Sequence, residues 1–343
     1  MKNFTYHRPA TLQMALPLLS DKWGPTELLG GGTDLLDRTK DYVSQPDVVV
    51  SLTGLGGAFR EIQSAAGGPL PTITIGAGVH LTDIAESRLL AAYPALTAAA
   101  GQVAGPQIRN MATLGGNLCQ RNRCWYFRDE HVNCLLKGGR KCFAQEGENQ
   151  YHAIFTQGHP CVIVNPSSLA PPLIALGAVA KIVGPKGERE LPLEKLYQAP
   201  VKDTQREHVL APNEILVSVR FGGAGVPGGA MYRNASYEVR QKETSDWPLV
   251  QAAVAYHTDR TGVPKGVRVA LGHVAPTPLL SESAAKALEG KPITEATATA
   301  AGEAAVEGAR PLSQNEYKVQ QTKVAVKRAV LLAAGVKPYW FAG

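Results

Sequence analysis

Short apolar runs alternate with glycine turns along most of the chain, and one long stretch breaks the pattern. Residues 12–20 carry apolar positions at helical spacing, with Thr11 placed to cap them. "TELLGGG" (26–32) reads as a strand entering a tight turn, and "DVVVSL" (47–52) as a short buried strand. "TITIGAGVHLTDIAES" (72–87) predicts a strand, a glycine turn and a helix capped by Thr82, and residues 84–103 an Ala/Leu-rich helix. Periodicity then lapses over residues 118–158. An unpatterned run of that length in a compact chain is normally functional or disordered. The pattern returns with a strand at "CVIVN" (161–165), a helix over 169–177, a hairpin around "GPKGE" and an alternating strand "EILVSVRF" (214–221). "GGAGVPGG" (222–229) reads as a linker. Beyond it the pattern predicts strands near 249–257 and 266–275 with a turn at "DRTGVP". Three helical stretches close the series, the last opened by a capping box from Ser313 to Glu316.

At 343 residues the chain has room for two or three domains. Its net charge of +6, from 35 basic and 29 acidic residues, is mild and undispersed into any dense basic run, which argues against a nucleic-acid surface. No apolar run reaches the roughly 18 residues of a membrane span. "LQMALPLL" follows Lys2 and Arg8 as a signal core would, but Pro17 interrupts it and no small-residue cleavage site follows. We read a cytoplasmic chain, the alternative being periplasmic export beside a signal-bearing partner. No Ser-His-Asp arrangement, H-E-x-x-H motif or P-loop suggests hydrolytic chemistry.

Two glycine-rich segments carry binding character. "LLGGGTDLL" (28–36) sets three glycines between an apolar strand and a polar pair, so consecutive N–H groups can face one anion. The G-x-G-x-x-G spacing of a Rossmann site is absent. "GPQIRNMATLGGNLC" (105–119) combines Thr113, Gly115, Gly116 and Asn117, so that two separated turns can clasp one extended dinucleotide from both sides.

Five cysteines are present, four of them between Cys119 and Cys142 and the fifth at Cys161. The odd count and the clustering argue against a secreted disulfide scaffold and for metal or redox chemistry. The spacing C-x4-C-x9-C-x7-C lacks the paired knuckles of structural zinc and the plant-type ferredoxin pattern. A four-cysteine iron–sulfur cluster fits best. On spacing alone the ligands are either Cys119, Cys124, Cys134 and Cys142, or the last three with Cys161.

"GGGTDLL" and "IRNMATLGGN" resemble the two FAD-binding signatures of the flavoprotein subunit of molybdenum hydroxylases, the xanthine dehydrogenase family. "SSLAPPLIALGA" (167–178), "SDWPLV" (245–250), "LGHVAPTPL" (271–279) and "NEYKVQQTKVAVKRAVLLAA" (315–334) resemble later blocks of that family in order, so the likeness spans nearly the whole chain. It implies an α+β fold: a vanillyl-alcohol-oxidase-type FAD-binding fold of two subdomains plus a C-terminal domain like that of CO dehydrogenase flavoproteins. The expected divisions are 1–56, 57–222 with the cysteine loop at about 118–161, and 223–343. FAD would contact Leu29, Gly30, Gly31, Gly32, Thr33, Asp34, Leu35, Gly105, Thr113, Gly115, Gly116, Asn117, Ser168 and Leu216.

The resemblance further implies electron transfer with two partners. One is a large subunit bearing a molybdenum cofactor; the other is a small subunit with two 2Fe–2S clusters. An external acceptor such as a ferredoxin would take electrons onward. A freestanding flavin/iron–sulfur reductase, or a metal-stapled docking subunit, are the other classes. A subset of the family, including 4-hydroxybenzoyl-CoA reductase and periplasmic-type aldehyde oxidoreductases, carries an inserted loop holding a 4Fe–4S cluster. Mapped onto this chain, that pattern selects Cys124, Cys134, Cys142 and Cys161 and leaves Cys119 spare. Ser168 departs from the family, which commonly has an aspartate there; it can hydrogen-bond but brings no charge. Relatives often have lysine where this chain has Glu238, so that contact is not carried over. His80 is read as a structural histidine that could face the flavin. Arg109 is read as a brace for its loop, and Trp125 and Tyr126 as packing or shielding beside Cys124.

Overall fold

The structure, a computed structural model, describes residues 1–66, 70–222, 231–242, 246–258 and 261–336. The first layer is a small parallel sheet. Strands β1 (Thr5–His7), β2 (Thr26–Leu29) and β3 (Val48–Ser51) lie in the order β1-β3-β2. The second is antiparallel: β4 (Ile62–Ala65), β5 (Thr72–Gly76), β6 (Val179–Gly184), β7 (Gly187–Pro192) and β8 (Ile215–Gly222), ordered β4-β5-β8-β6-β7. Because β5 pairs with β8, more than a hundred intervening residues, the cysteine loop among them, are tied off at the base of one ladder. The third sheet is also antiparallel, with β9 (Met231–Arg240), β10 (Pro248–Thr258), β11 (Pro264–Gly272) and β12 (Leu279–Leu280) ordered β12-β11-β10-β9.

Alternation explains the second sheet. Ile73 and Ile75 of β5 and Val219 and Phe221 of β8 point inward and are buried, packing with Leu81, Ile84, Leu96 and Leu173 in the main core. Each such side chain contributes about 1.5–3 kcal/mol by leaving water. A second core lies between the third sheet and helices Glu282–Leu288, Glu295–Ala305 and Tyr317–Ala333.

Several expected elements differ. Residues 84–103 are not one helix. A helix over Leu81–Glu86 stops where Ser87 turns extended, and Pro94 restarts a second at its first turn, where its missing N–H costs nothing. Thr82 caps nothing; its hydroxyl donates to Asn110 Oδ1 at 2.6 Å. "CVIVN" joins no sheet. Val162 O instead accepts from Ala153 N and Asn165 N donates to Ala275 O, both at 3.0 Å. The Ser313–Glu316 box is absent, because Ser313 Oγ accepts from Asn149 Nδ2 at 3.0 Å; a reciprocal box forms at Thr294 and Thr297 instead. Strand β9 carries no recognised pattern, since its buried positions are Asn234 and Ala235, on opposite faces, rather than alternating large aliphatics. The turn residues 259–260, most of the expected linker, and Ser245 of "SDWPLV" lie outside the described residues.

Candidate functional site

The two glycine segments meet face to face. Gly31 lies so close to the 111–112 backbone that an added Cβ would fall 1.7 Å from Met111 O. One on Gly30 would stand 2.8 Å from Thr113 Oγ1, and one on Gly115 would stand 3.0 Å from Ala77 Cβ. Only glycine lets the loop after β2 pass this near the second loop. Thr113 Oγ1 accepts from Gly116 N at 3.1 Å and starts the helix Leu114–Cys119.

Two cavities open along this contact. The first has about 1290 Å³ of atom-free space, mouth included, and a largely apolar lining that includes Trp23, Leu28, Phe59 and Leu216. The second, about 870 Å³, is rimmed by Gln102, Asn117, Gln120, Arg123, Ser168 and Trp247. Both touch Thr33, Asp34, Gly116 and Gln120, so they form one trench bent around the glycine loops.

Asp34 sits at the bend and is the centre of a charge network. Its Oδ1 is 2.6 Å from Arg128 Nη2 and 3.1 Å from Arg123 Nη2; its Oδ2 accepts from Arg38 Nε and from Arg121 N, each at 3.2 Å. Burial alone would raise its pKa, but Arg38, Arg128 and Arg123 outweigh that and hold the carboxyl well below the usual range. Arg38 also grips Glu27 at 3.3 Å. Arg121 pairs with buried Glu207 at 2.7 Å. Arg121, Arg123 and Arg128 come from the start of the cysteine loop, so the loop is clamped to the glycine turn. His208, at the first cavity, stands edge-on to Trp23 at 5.7 Å, and burial lowers its pKa to about 4.

The cysteines divide into two environments. Cys134 and Cys161, with Cys124 packed against them, share a small apolar pocket with Phe127, Leu136 and Ile163. The neighbouring Cys161 thiol holds the Cys142 thiol below its usual pKa. Burial raises Cys124 to about 12, and the neighbouring Cys142 and Cys134 add to the shift. Cys119 instead packs against the main core beside the first cavity, and burial takes it to about 12. His152 Nε2 lies 3.2 Å from Cys124 Sγ, with Trp125 edge-on to the imidazole at 5.4 Å. Behind His152, the buried Lys318 ammonium donates to Tyr151 O, His152 O and His273 O at 3.3, 3.1 and 2.7 Å. Burial lowers Lys318 to about 7. Among the described residues, no three His, Cys, Asp or Glu side chains converge tightly enough to hold a single metal ion.

Residues 2–221 match the FAD binding domain in molybdopterin dehydrogenase, and residues 235–333 the CO dehydrogenase flavoprotein C-terminal domain. The chain belongs to the FAD-binding subunits of the molybdenum hydroxylases. It is 33% identical over 327 residues to the aldehyde oxidoreductase FAD-binding subunit PaoB of Escherichia coli K12, covering 94% of this chain and 96% of that one. It is 27% identical over 332 residues to the carbon monoxide dehydrogenase medium chain of Hydrogenophaga pseudoflava, covering 95% and 96%. A solved structure of the carbon monoxide dehydrogenase from that organism, lacking the Mo-pyranopterin moiety of the molybdenum cofactor, superposes with a TM-score of 0.73 at 27% identity and 97% coverage of both chains. Membership makes this chain an oxidoreductase subunit and confirms the α+β, two-part flavoprotein fold.

The residues present fit the family's FAD. The trench is long, its middle is walled by backbone where any Cβ would intrude, and its two ends differ in polarity. The structure gathers Gly30, Gly31, Gly32, Thr33, Asp34, Leu35, Thr113, Gly115, Gly116 and Leu216 around the first cavity. Asn117 and Ser168 join at the second. Leu29 and Gly105 line neither, although their neighbours Leu28 and Ala104 do. Asn117 also serves the scaffold, its Oδ1 accepting from Ser167 Oγ at 2.7 Å. Arg109 braces its loop as expected, donating to Val103 O at 3.0 Å and Ala104 O at 2.6 Å. His80 lines the first cavity. Sequence reading missed Trp23, Phe59 and His208, which carry no motif and reach the trench from separate elements; it also passed over Gln120, which follows the second glycine segment, and Trp247 of "SDWPLV".

Proposed function

We propose that this chain is the FAD- and 4Fe–4S-bearing electron-transfer subunit of a molybdenum hydroxylase complex. Cys124, Cys134, Cys142 and Cys161 would hold the cluster and leave Cys119 outside it. One observation carries the reading. Cys124, Cys134 and Cys161 pack in one apolar pocket and Cys142 lies close enough to act on all three, whereas Cys119 packs into a different core. A cubane cluster keeps its four thiolates farther apart than the ligands of one ion, so a spread four-thiol pocket suits it. Lys137 acts on Cys134, offsetting part of the negative charge that four thiolates bring.

When bound, FAD exchanges electrons singly or in pairs, and the protein's part is to orient it and tune its potential. Here Gly30–Leu35 and Thr113–Asn117 would hold its middle, with Ser168 and Leu216 toward opposite ends. The name of the PaoB relative points to aldehyde oxidation in a partner subunit. We assign the partners as a large molybdenum-cofactor subunit and a small subunit with two 2Fe–2S clusters, with an external acceptor such as a ferredoxin downstream.

The test is anaerobic purification with flavin, iron and subunit analysis. Four moles of iron and one of FAD per chain are expected. Iron should be lost in Cys124→Ser and Cys161→Ala, and both cofactors kept in Cys119→Ala. Iron lost in Cys119→Ala but kept in Cys161→Ala would overturn the ligand set, and zinc in place of iron would overturn the cluster. Flavin without co-purifying subunits would favour a freestanding reductase.

A further inference from the structure

A buried carboxylate stands one hydroxyl away from the trench. Glu238, near the end of β9, has a side chain only 1% exposed. Its carboxyl lies beside the Ser168 side chain, and Ser168 lines the second cavity. Glu238 Oε2 pairs with Arg240, while Oε1 has no partner among the described residues. Opposite it on β10 is Gln251, whose Nε2 donates to Ser168 O at 2.8 Å and whose Oε1 also lacks a partner. Carboxylate, hydroxyl and amide thus form one buried polar group against the wall of the trench, with acceptor capacity left over.

The second cavity is the end suited to the isoalloxazine. Arg123 lines it and immediately precedes Cys124, so this end is the one nearer the cysteine pocket. Its amide and hydroxyl rim matches the alternating donors and acceptors of a flavin's pyrimidine edge, whereas the apolar first cavity suits an adenine.

We propose that Glu238, acting through the Ser168 hydroxyl, is a positioning residue that sets the potential of the bound flavin and its dependence on pH. The inference rests on FAD occupying the trench. As an anion, Glu238 opposes electrons arriving on the flavin; with a proton on Oε1 it does not. Burial raises the pKa of this carboxyl above the ordinary value even against Arg240, which brings the change of charge closer to working pH. The surrounding groups are these. Arg240 pairs with Glu238 on its own strand and also reaches Gln102 Oε1 at 3.4 Å. Arg240 in turn acts on His273, which burial keeps neutral, as does Lys318, whose amine donates to His273 O. Asp34, Asp37, Arg123 and Asp246 line the rest of the cavity.

The test is a spectroscopic redox titration of the flavin in the purified complex, repeated from acidic to alkaline pH. Glu238→Gln should raise the midpoint potential at alkaline pH and leave it unchanged at acidic pH, flattening the pH dependence. Ser168→Ala should move the curve the same way by a smaller step, and Ser168→Thr should restore it. A Glu238→Gln curve superimposed on that of the unsubstituted protein would overturn the proposal. If Glu238→Gln does not fold, an unchanged curve in Ser168→Ala overturns it equally. A purified complex with no flavin at all would instead sink the cofactor assignment itself, and this inference with it.

Discussion

Arg128 Nη2 lies 2.6 Å from Asp34 Oδ1, joining the loop that carries the cysteines to the turn that carries the glycines. Arg123 makes the same connection at 3.1 Å. The two candidate cofactor sites therefore share one anchor, and an anchor of buried charge is costly to break.

Asp34→Asn is expected to destabilise the protein by about 3 kcal/mol, the lower end for breaking a buried pair. Glu27 and Asp37 still neutralise part of the arginine cluster, which keeps the loss from being larger. Iron and flavin content should fall together. Denaturant unfolding and cofactor analysis check this; unchanged stability would show that the network is not an anchor.

Gly31→Ala should abolish flavin binding. Its Cβ would overlap Met111 O at 1.7 Å, a backbone atom that cannot swing aside, so the two loops must part. The cysteine pocket lies elsewhere and should keep its iron. Retention of the flavin absorbance in this variant would refute the close approach of the loops.

Ser168→Ala should weaken flavin binding by about 0.5–1.5 kcal/mol, the usual worth of a neutral hydrogen bond. The hydroxyl is buried beside Glu238 rather than free in the cavity. Fluorescence titration of the apoprotein with FAD measures it, and complete loss of binding would show that Ser168 does more than this.

Stability should decline as pH falls from about 6.5 to about 4. Burial holds folded His208 and His152 each at about 4, whereas an unfolded imidazole takes its proton near 6.5. Between those values the unfolded chain binds more protons, so acid favours it. Fully buried His208 alone accounts for up to about 3 kcal/mol. His208→Gln should flatten this part of the profile, and an unchanged slope would mean the imidazole is not buried neutral.

The sequence made the glycine signatures and the alternating strands readable because local chemistry dictates them. Three glycines after an apolar strand predict a close approach whatever packs opposite, and Ile73, Ile75 and Val219 alternate because one face of their sheet is buried. What stayed hidden depended on distant partners. Thr82 and Ser313 had the right local context for caps, but Asn110 and Asn149 took their hydroxyls. "CVIVN" has strand-forming residues, yet its backbone groups bond to Ala153 and Ala275 outside any strand. Trp23 and His208 meet at the trench across 185 residues, the difference of their positions, and nothing in either neighbourhood announces the encounter.

Lys318 fastens the carbonyls of Tyr151 and His152, and 166 residues separate it from His152. During synthesis the ribosome must therefore add all of those residues before the backbone beside Cys124 receives its final donor. The cysteine region is among the earlier parts made and among the last to be secured. Whatever loads it meets a pocket left unlatched through most of translation and locked by Asn315, Tyr317 and Lys318 arriving late.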